Sequence, residues 1–105
     1  MTSKRSGQPL LGGDEACDRV APVLRVLGHP VRLRIVNLLM RSQVPVADLA
    51  GTLKLAPNAV SQHLNIMRAH GIVTPTRRGR QVFYRVVHPA AKSLLQCMWT
   101  NVGAL

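Results

Sequence analysis

Apolar residues recur along most of the chain at the three- and four-residue spacing that lines one face of a helix, and the spacing changes to two near the end. Val20, Val23, Leu24 and Leu27 predict a first helix closing near Gly28, with Asp14, Glu15 and Asp18 placing negative charge where a helix N-terminus favours it. Pro22 falls inside this stretch, where it removes a backbone hydrogen bond and crowds the preceding turn; the helix either kinks there or begins there. Pro30 opens a second helix at its first position, with Val31, Ile35, Leu38 and Leu39 sharing a face, ending around Arg41 and Ser42. Val46, Leu49, Ala50 and Leu53 predict a short third helix, broken at Leu55-Ala56-Pro57, and a fourth begins with Pro57 in its first turn.

In the fourth helix Val60, Leu64 and Met67 fall in one narrow stripe, while Asn58, Ser61, Gln62, Asn65 and Arg68 fan across the other side. His63 lies nearer the apolar stripe than these five. Gly71 stops the helix. Beyond it Val82, Tyr84 and Val86 alternate with period two after a turn at Arg78-Gly79-Arg80, preceded by a partner run from Ile72 to Arg77, which predicts a β-hairpin with an arginine-rich tip. Pro75 is compatible with it because both strands of a lone hairpin are edges. A last helix from about Pro89 carries Ala91, Leu94, Leu95, Met98 and Trp99. Residues 1–13 mix Ser, Gly, Pro, Lys and Arg without periodicity and read as a flexible arm before one domain over 14–105.

The predicted fold is therefore mainly α with a small β-hairpin, in the order α-α-α-α-β-β-α. A short helix, a tight turn and a second helix running into a basic hairpin is the layout of a winged helix-turn-helix. Charge gives that layout a partner. The 105 residues carry a formal net charge of +10, and after residue 18 every acid but Asp48 is gone against twelve Lys and Arg, which favours a polyanion. The bases are not stacked on one face of an amphipathic helix, as membrane binding would want, and only Phe83, Tyr84 and Trp99 are available as stacking platforms for single strands. Double-stranded DNA is the expected partner, with no membrane. No apolar run approaches the ~18 residues of a membrane span and no secretory stretch opens the chain, so a cytoplasmic location is expected.

The residue types agree. Amides and hydroxyls on the fourth helix, Asn58, Ser61, Gln62 and Asn65 with Arg68, both donate and accept hydrogen bonds and so suit base edges in the major groove. Arg78 and Arg80 beside Gly79 suit the minor groove and its phosphate walls, whereas Arg77 and Arg85 read as solvated strand residues, and Arg32 and Arg34 as partners of acids or backbone. The four acids do not pair for general acid/base work and no nucleophile triad or phosphate loop occurs, which argues against an enzyme and implies no cofactor. An architectural module that coats DNA with little sequence preference, or that mainly binds another protein, shares all these features.

Four segments resemble the ArsR/SmtB bacterial repressors: Leu27-Gly28-His29-Pro30-Val31-Arg32-Leu33-Arg34-Ile35-Val36-Asn37-Leu38-Leu39, Val60-Ser61-Gln62-His63-Leu64, His70-Gly71-Ile72-Val73 and Gly79-Arg80-Gln81-Val82-Phe83-Tyr84. They occur in the family's order and spacing over about residues 20–99. His29 departs from the small or acidic residue common before that proline. The resemblance implies a homodimer packed through the first and last helices, an imperfect inverted-repeat operator, repression of a neighbouring gene, and release by an inducer. It also carries the base-reading role onto Asn58, Ser61, Gln62 and His63, with Arg78 and Arg80 as contacts of the wing. Independently, Cys97, Met98 and Trp99 beside Leu94 and Leu95 form a C-terminal apolar surface of the kind that meets a partner.

The resemblance also tells against metal sensing. Metal-sensing members carry a Cys-x-Cys element in the third helix or spaced Asp, His and Glu ligands in the last. Here the third helix reads Val46-Ala47-Asp48-Leu49-Ala50, and the last offers only His88 at its start. His29, His63, His70 and His88 share no ligand spacing, and capping or surface roles are expected of them. Cys17 and Cys97 remain, in the first and last helical regions that the family fold brings together. They read either as small packing residues or as a site of redox or inducer sensing, through a disulfide, a polysulfide bridge or a thiophilic ligand. In thiol-sensing members the first cysteine lies in the second helix, near the place of Asn37 here.

Overall fold

In the computed structural model, which describes residues 12–102, five helices and one hairpin follow one another as α1 (Gly13–Leu27), α2 (Pro30–Arg41), α3 (Val46–Leu53), α4 (Pro57–Ala69), β1 (Val73–Arg78), β2 (Gln81–Val86) and α5 (Pro89–Asn101). The expected N-terminal arm lies, but for Gly12 and Gly13, outside the described residues. Helix α1 runs unbroken from Gly13 through Pro22 to Leu27, so it does not begin at the proline. Asp14 and Glu15 lie in its first turn and Arg25 in its last, the arrangement that the helix dipole favours.

Two helices open with the same dipeptide. His29-Pro30 starts α2 and His88-Pro89 starts α5, and in each the histidine Nδ1 accepts the backbone N–H two residues on, from Val31 and from Ala90, at 3.1 Å. The proline supplies a preset φ at a position whose N–H would have no helical partner, while the imidazole does the work usually given to Ser or Asp. Helix α4 ends in a Schellman motif: Gly71 adopts φ +70°, its N–H reaches the Arg68 carbonyl at 3.0 Å, and the Ile72 N–H reaches Met67 at 2.9 Å. The three-residue turn between α3 and α4 starts on Lys54 at φ 57°, ψ 49°, a left-handed conformation held by a non-glycine residue.

The core is assembled from every element. Ile35 and Val36 of α2, Leu49 of α3, Val60, Leu64 and Met67 of α4, Ile72, and Ala91 and Leu95 of α5 are each at most 2 % exposed. No polar or charged residue is buried among the described residues. β1 and β2 pair antiparallel from Val73↔Val86 to Arg78↔Gln81, joined by a two-residue turn with Gly79 at φ +63°. Pro45 adds an isolated bridge to Phe83, so β2 is bordered on its far side by the chain leading into α3, while Pro75 sits on the free strand β1. α4 packs on α2, α3 and β1, and α5 packs on α1.

The face expected to be a large C-terminal apolar surface is covered in part within the chain. Leu95 is in the core, and Leu94, Met98 and Trp99 are partly buried against it, leaving Cys97 exposed. On α1 the reverse holds, because Leu24, which shares the helical spacing of its apolar neighbours, is 48 % exposed.

Candidate nucleic-acid interface

Helix α4 divides cleanly. Val60, Leu64 and Met67 are buried, and Asn58, Ser61, Gln62, Asn65 and Arg68 are all exposed on the opposite side. Arg68 follows Asn58 by ten residues, nearly three turns, so at about 1.5 Å per residue this polar row is about 15 Å long. Ala56 precedes α4 without a side-chain cap, Pro57 has no N–H, and the Ala59 N–H turns back to the Ala56 carbonyl at 3.0 Å, which among the described residues leaves the Asn58 N–H as the first-turn amide open to an external acceptor.

His63 stands apart from that row. It is half-buried and turned toward α2, where its Nδ1 accepts the Arg32 Nε–H at 3.2 Å and its ring lies 4.8 Å from that of His29 at 60°. Burial first, and then the charges that His29 and Arg32 place beside it, push the His63 pKa below the usual histidine value. A neutral ring with its proton on Nε2 is the form that fits the Arg32 bond. Arg32 also donates to the Val26 carbonyl at 3.3 Å, the backbone partnership expected of it.

The hairpin presents two different arginines. Arg80 sits in the exposed turn itself, whereas Arg78, one residue before Gly79, is drawn back: its guanidinium donates to Gln43 Oε1 at 2.7 Å and lies 5.1 Å from the Phe83 ring centroid. Arg77 and Arg85 are exposed strand residues. The partnership of Arg78 with Gln43, thirty-five residues away, had no local signal in the sequence.

Four helices, a turn, and a two-stranded hairpin continuing from the polar helix match a winged helix-turn-helix in both order and packing. A sequence profile described as the arsR family of bacterial regulatory proteins matches residues 29–74. A biofilm growth-associated repressor of Xylella fastidiosa is 32% identical over 87 residues, covering 83% of this chain and 76% of that protein. The chain belongs to the ArsR/SmtB family. The HTH-type transcriptional repressor SmtB of Mycobacterium tuberculosis is 44% identical over 72 residues, or 69% of this chain and 53% of that protein. Among solved structures, the transcriptional repressor BigR from Xylella fastidiosa superposes with a TM-score of 0.76 at 31% identity, covering 85% of this chain and 91% of that one.

Cys17 on α1 and Cys97 on α5 are both exposed and free, and Cys97 Sγ receives a bond from Asn101 Nδ2 at 3.3 Å. Among the described residues no group of three or more His, Cys, Asp or Glu is placed to hold a metal ion, and no helix is long and apolar enough to cross a membrane. Near Asn37, where thiol-sensing members carry a cysteine, the Asn37 Oδ1 instead accepts the Trp99 indole N–H at 2.7 Å.

Proposed function

We propose that the protein is a transcriptional repressor that binds duplex DNA as a homodimer, reading an imperfect inverted repeat and controlling its own or a neighbouring operon in the cytoplasm. The observation that carries this reading is the exposed polar row of α4 beside an arginine-tipped hairpin. Asn58, Ser61, Gln62 and Asn65 supply base-edge contacts, Arg68 and the Asn58 backbone N–H meet phosphate, and Arg80 enters the minor groove. Arg78 shapes the wing through Phe83 and Gln43 and contacts DNA second to Arg80. His63, half-buried against Arg32, sets the position of α4 more than it touches bases.

Dimerisation is supported by the 48 % exposed Leu24 on α1, next to the α1–α5 packing that the family resemblance names as the interface. The exposed thiols on those two helices support a route of release, in which oxidation of Cys17 and Cys97, or a thiophilic ligand on them, alters the angle between the two α4 helices. The rival reading, a module that coats DNA, draws on the same positive charge.

The deciding experiment is a fluorescence-anisotropy titration of the protein on its own upstream DNA and on a shuffled duplex at fixed salt, with thiols reduced and then oxidised. A repressor prefers the native duplex by about a thousandfold or more. Equal affinity for both duplexes would replace the repressor by the coating module, and preference unchanged by oxidation would remove the redox switch on Cys17 and Cys97.

A further inference from the structure

Helices α2 and α5 enclose an open groove of about 420 Å³, the size of a small-molecule site. Its floor is apolar, formed by Leu33, Met98, Trp99 and Val102. Its rim is cationic, because Arg34 and Arg41 lie two turns apart on α2, close enough for their long side chains to converge on one anion between them. The chain has four acidic side chains, Asp14, Glu15, Asp18 and Asp48, and none lines this groove. Both arginines are exposed, and among the described residues neither is paired with an acid.

Trp99 is already ordered for such a ligand. Its indole N–H is satisfied by Asn37 Oδ1 at 2.7 Å and the Arg41 guanidinium stands 6.0 Å from its ring centroid, which fixes an aromatic face beside a cation. A flat apolar body against Trp99 with a carboxylate toward Arg34 and Arg41 uses every feature of the site.

We propose that this groove is an effector site for a small organic anion with an apolar body, an aromatic or medium-chain carboxylate; its effect on DNA rests on the repressor reading above. The site is independent of Cys17 and Cys97, neither of which lines it. Coupling runs through α2, since the helix that carries Arg34 and Arg41 also carries Arg32, which is bonded to His63 on α4. A carboxylate that draws α2 toward α5 therefore acts on the element that positions the polar row.

Trp99 is the chain's one tryptophan, so its emission reports the groove directly. The test titrates 4-phenylbutyrate, and the neutral 4-phenylbutanol as its control, against the full chain at constant ionic strength. A saturable change in Trp99 emission is expected with the acid, about tenfold or more tighter than with the alcohol, as charge-assisted hydrogen bonds require. The Arg34→Gln/Arg41→Gln double variant, checked for its helical signal by circular dichroism, should bind acid and alcohol alike. Saturating acid should lower affinity for the upstream duplex by about fivefold or more in the wild type and leave the double variant's own affinity unchanged.

Absence of a saturable response, or equal binding of acid and alcohol by the wild type, overturns the site. Trp99 emission that shifts on dilution while blocking the acid also overturns it, by assigning the groove to a second copy. Acid binding without any change in DNA affinity overturns the effector role. A protein with no preference for its upstream duplex sinks the repressor reading instead, and the Trp99 titration still decides the groove.

Discussion

Arg32 on α2 donates its Nε–H to Nδ1 of His63 on α4 at 3.2 Å, and a second nitrogen of the same guanidinium donates to the Val26 carbonyl near the end of α1 at 3.3 Å. One side chain thus ties three helices together at the inner face of the helix that carries the polar row. The tie needs an unprotonated His63 Nδ1, because an imidazolium has no acceptor to offer.

Stability should therefore fall in mild acid, partly through His63. Its pKa is lowered in the fold by burial, His29 and Arg32, from the ordinary value of about 6.5. Between the two values the unfolded chain binds more protons, so stability rises with pH there; the contribution is complete above about 6.5 and is lost as pH falls through the folded value. Thermal melts from pH 7.5 to 5 should show a steeper loss for the wild type than for His63→Asn, whose side-chain oxygen still accepts from Arg32. Parallel profiles would show that His63 does not contribute.

Gln62→Ala and Arg80→Ala should fail differently. Losing an amide that reads a base edge should cost about 1–3 kcal/mol on the cognate duplex and little on a shuffled one. Losing Arg80 should weaken both duplexes alike and flatten the salt dependence by about one unit of slope per wing. Arg78→Ala should weaken DNA binding less than Arg80→Ala and instead lower stability by about 0.5–1 kcal/mol, through the lost contact with Phe83. Affinities measured across a salt series for the three variants separate these outcomes, and identical losses on both duplexes for Gln62→Ala would remove it from the base-reading set.

The elements and the division of α4 were legible in the sequence because helical period and burial are the same angle. Val60, Leu64 and Met67 share a stripe and are the residues that disappear into the core, so their opposite face is exposed by geometry alone. What was not legible joins residues far apart in the chain. Arg32 with His63, Arg78 with Gln43 and Trp99 with Asn37 are thirty-one, thirty-five and sixty-two residues apart, and no periodicity encodes such pairs. Leu24 shows the converse limit, since it shares the apolar spacing of α1 yet stays 48 % exposed among the described residues. Lys54 takes a left-handed backbone where a turn residue such as glycine is the usual signal, and so hid the turn's first residue.

Removing the Trp99 anchor should loosen α5 from α2. Asn37→Leu leaves the half-buried indole N–H without its 2.7 Å acceptor, a change that costs about 1–3 kcal/mol when the donor cannot reach water. The emission of Trp99 should shift and its accessibility to iodide rise, while the far-ultraviolet circular dichroism stays that of a helical protein. An unchanged Trp99 spectrum would mean that packing against the core, and not the Asn37 bond, holds the ring.

The same substitution should have opposite signs at two glycines. Gly51 lies inside α3, where a Cβ would meet nothing within 4 Å, so Gly51→Ala should stabilise by about 0.5–1 kcal/mol by improving helix propensity. Gly71 also has open space around it, but its φ of +70° closes the Schellman motif that aims Ile72 into the core, and Gly71→Ala should cost about 1–2 kcal/mol. For a domain of this size each kcal/mol moves Tm by about 4–8 °C, measured at one fixed protein concentration because dimerisation would otherwise shift the midpoint. If Gly51→Ala lowered Tm, that face of α3 would have to be covered in the folded protein by a contact absent among the described residues, and cross-linking of the dimer through a cysteine placed on α3 would test whether a second copy supplies it.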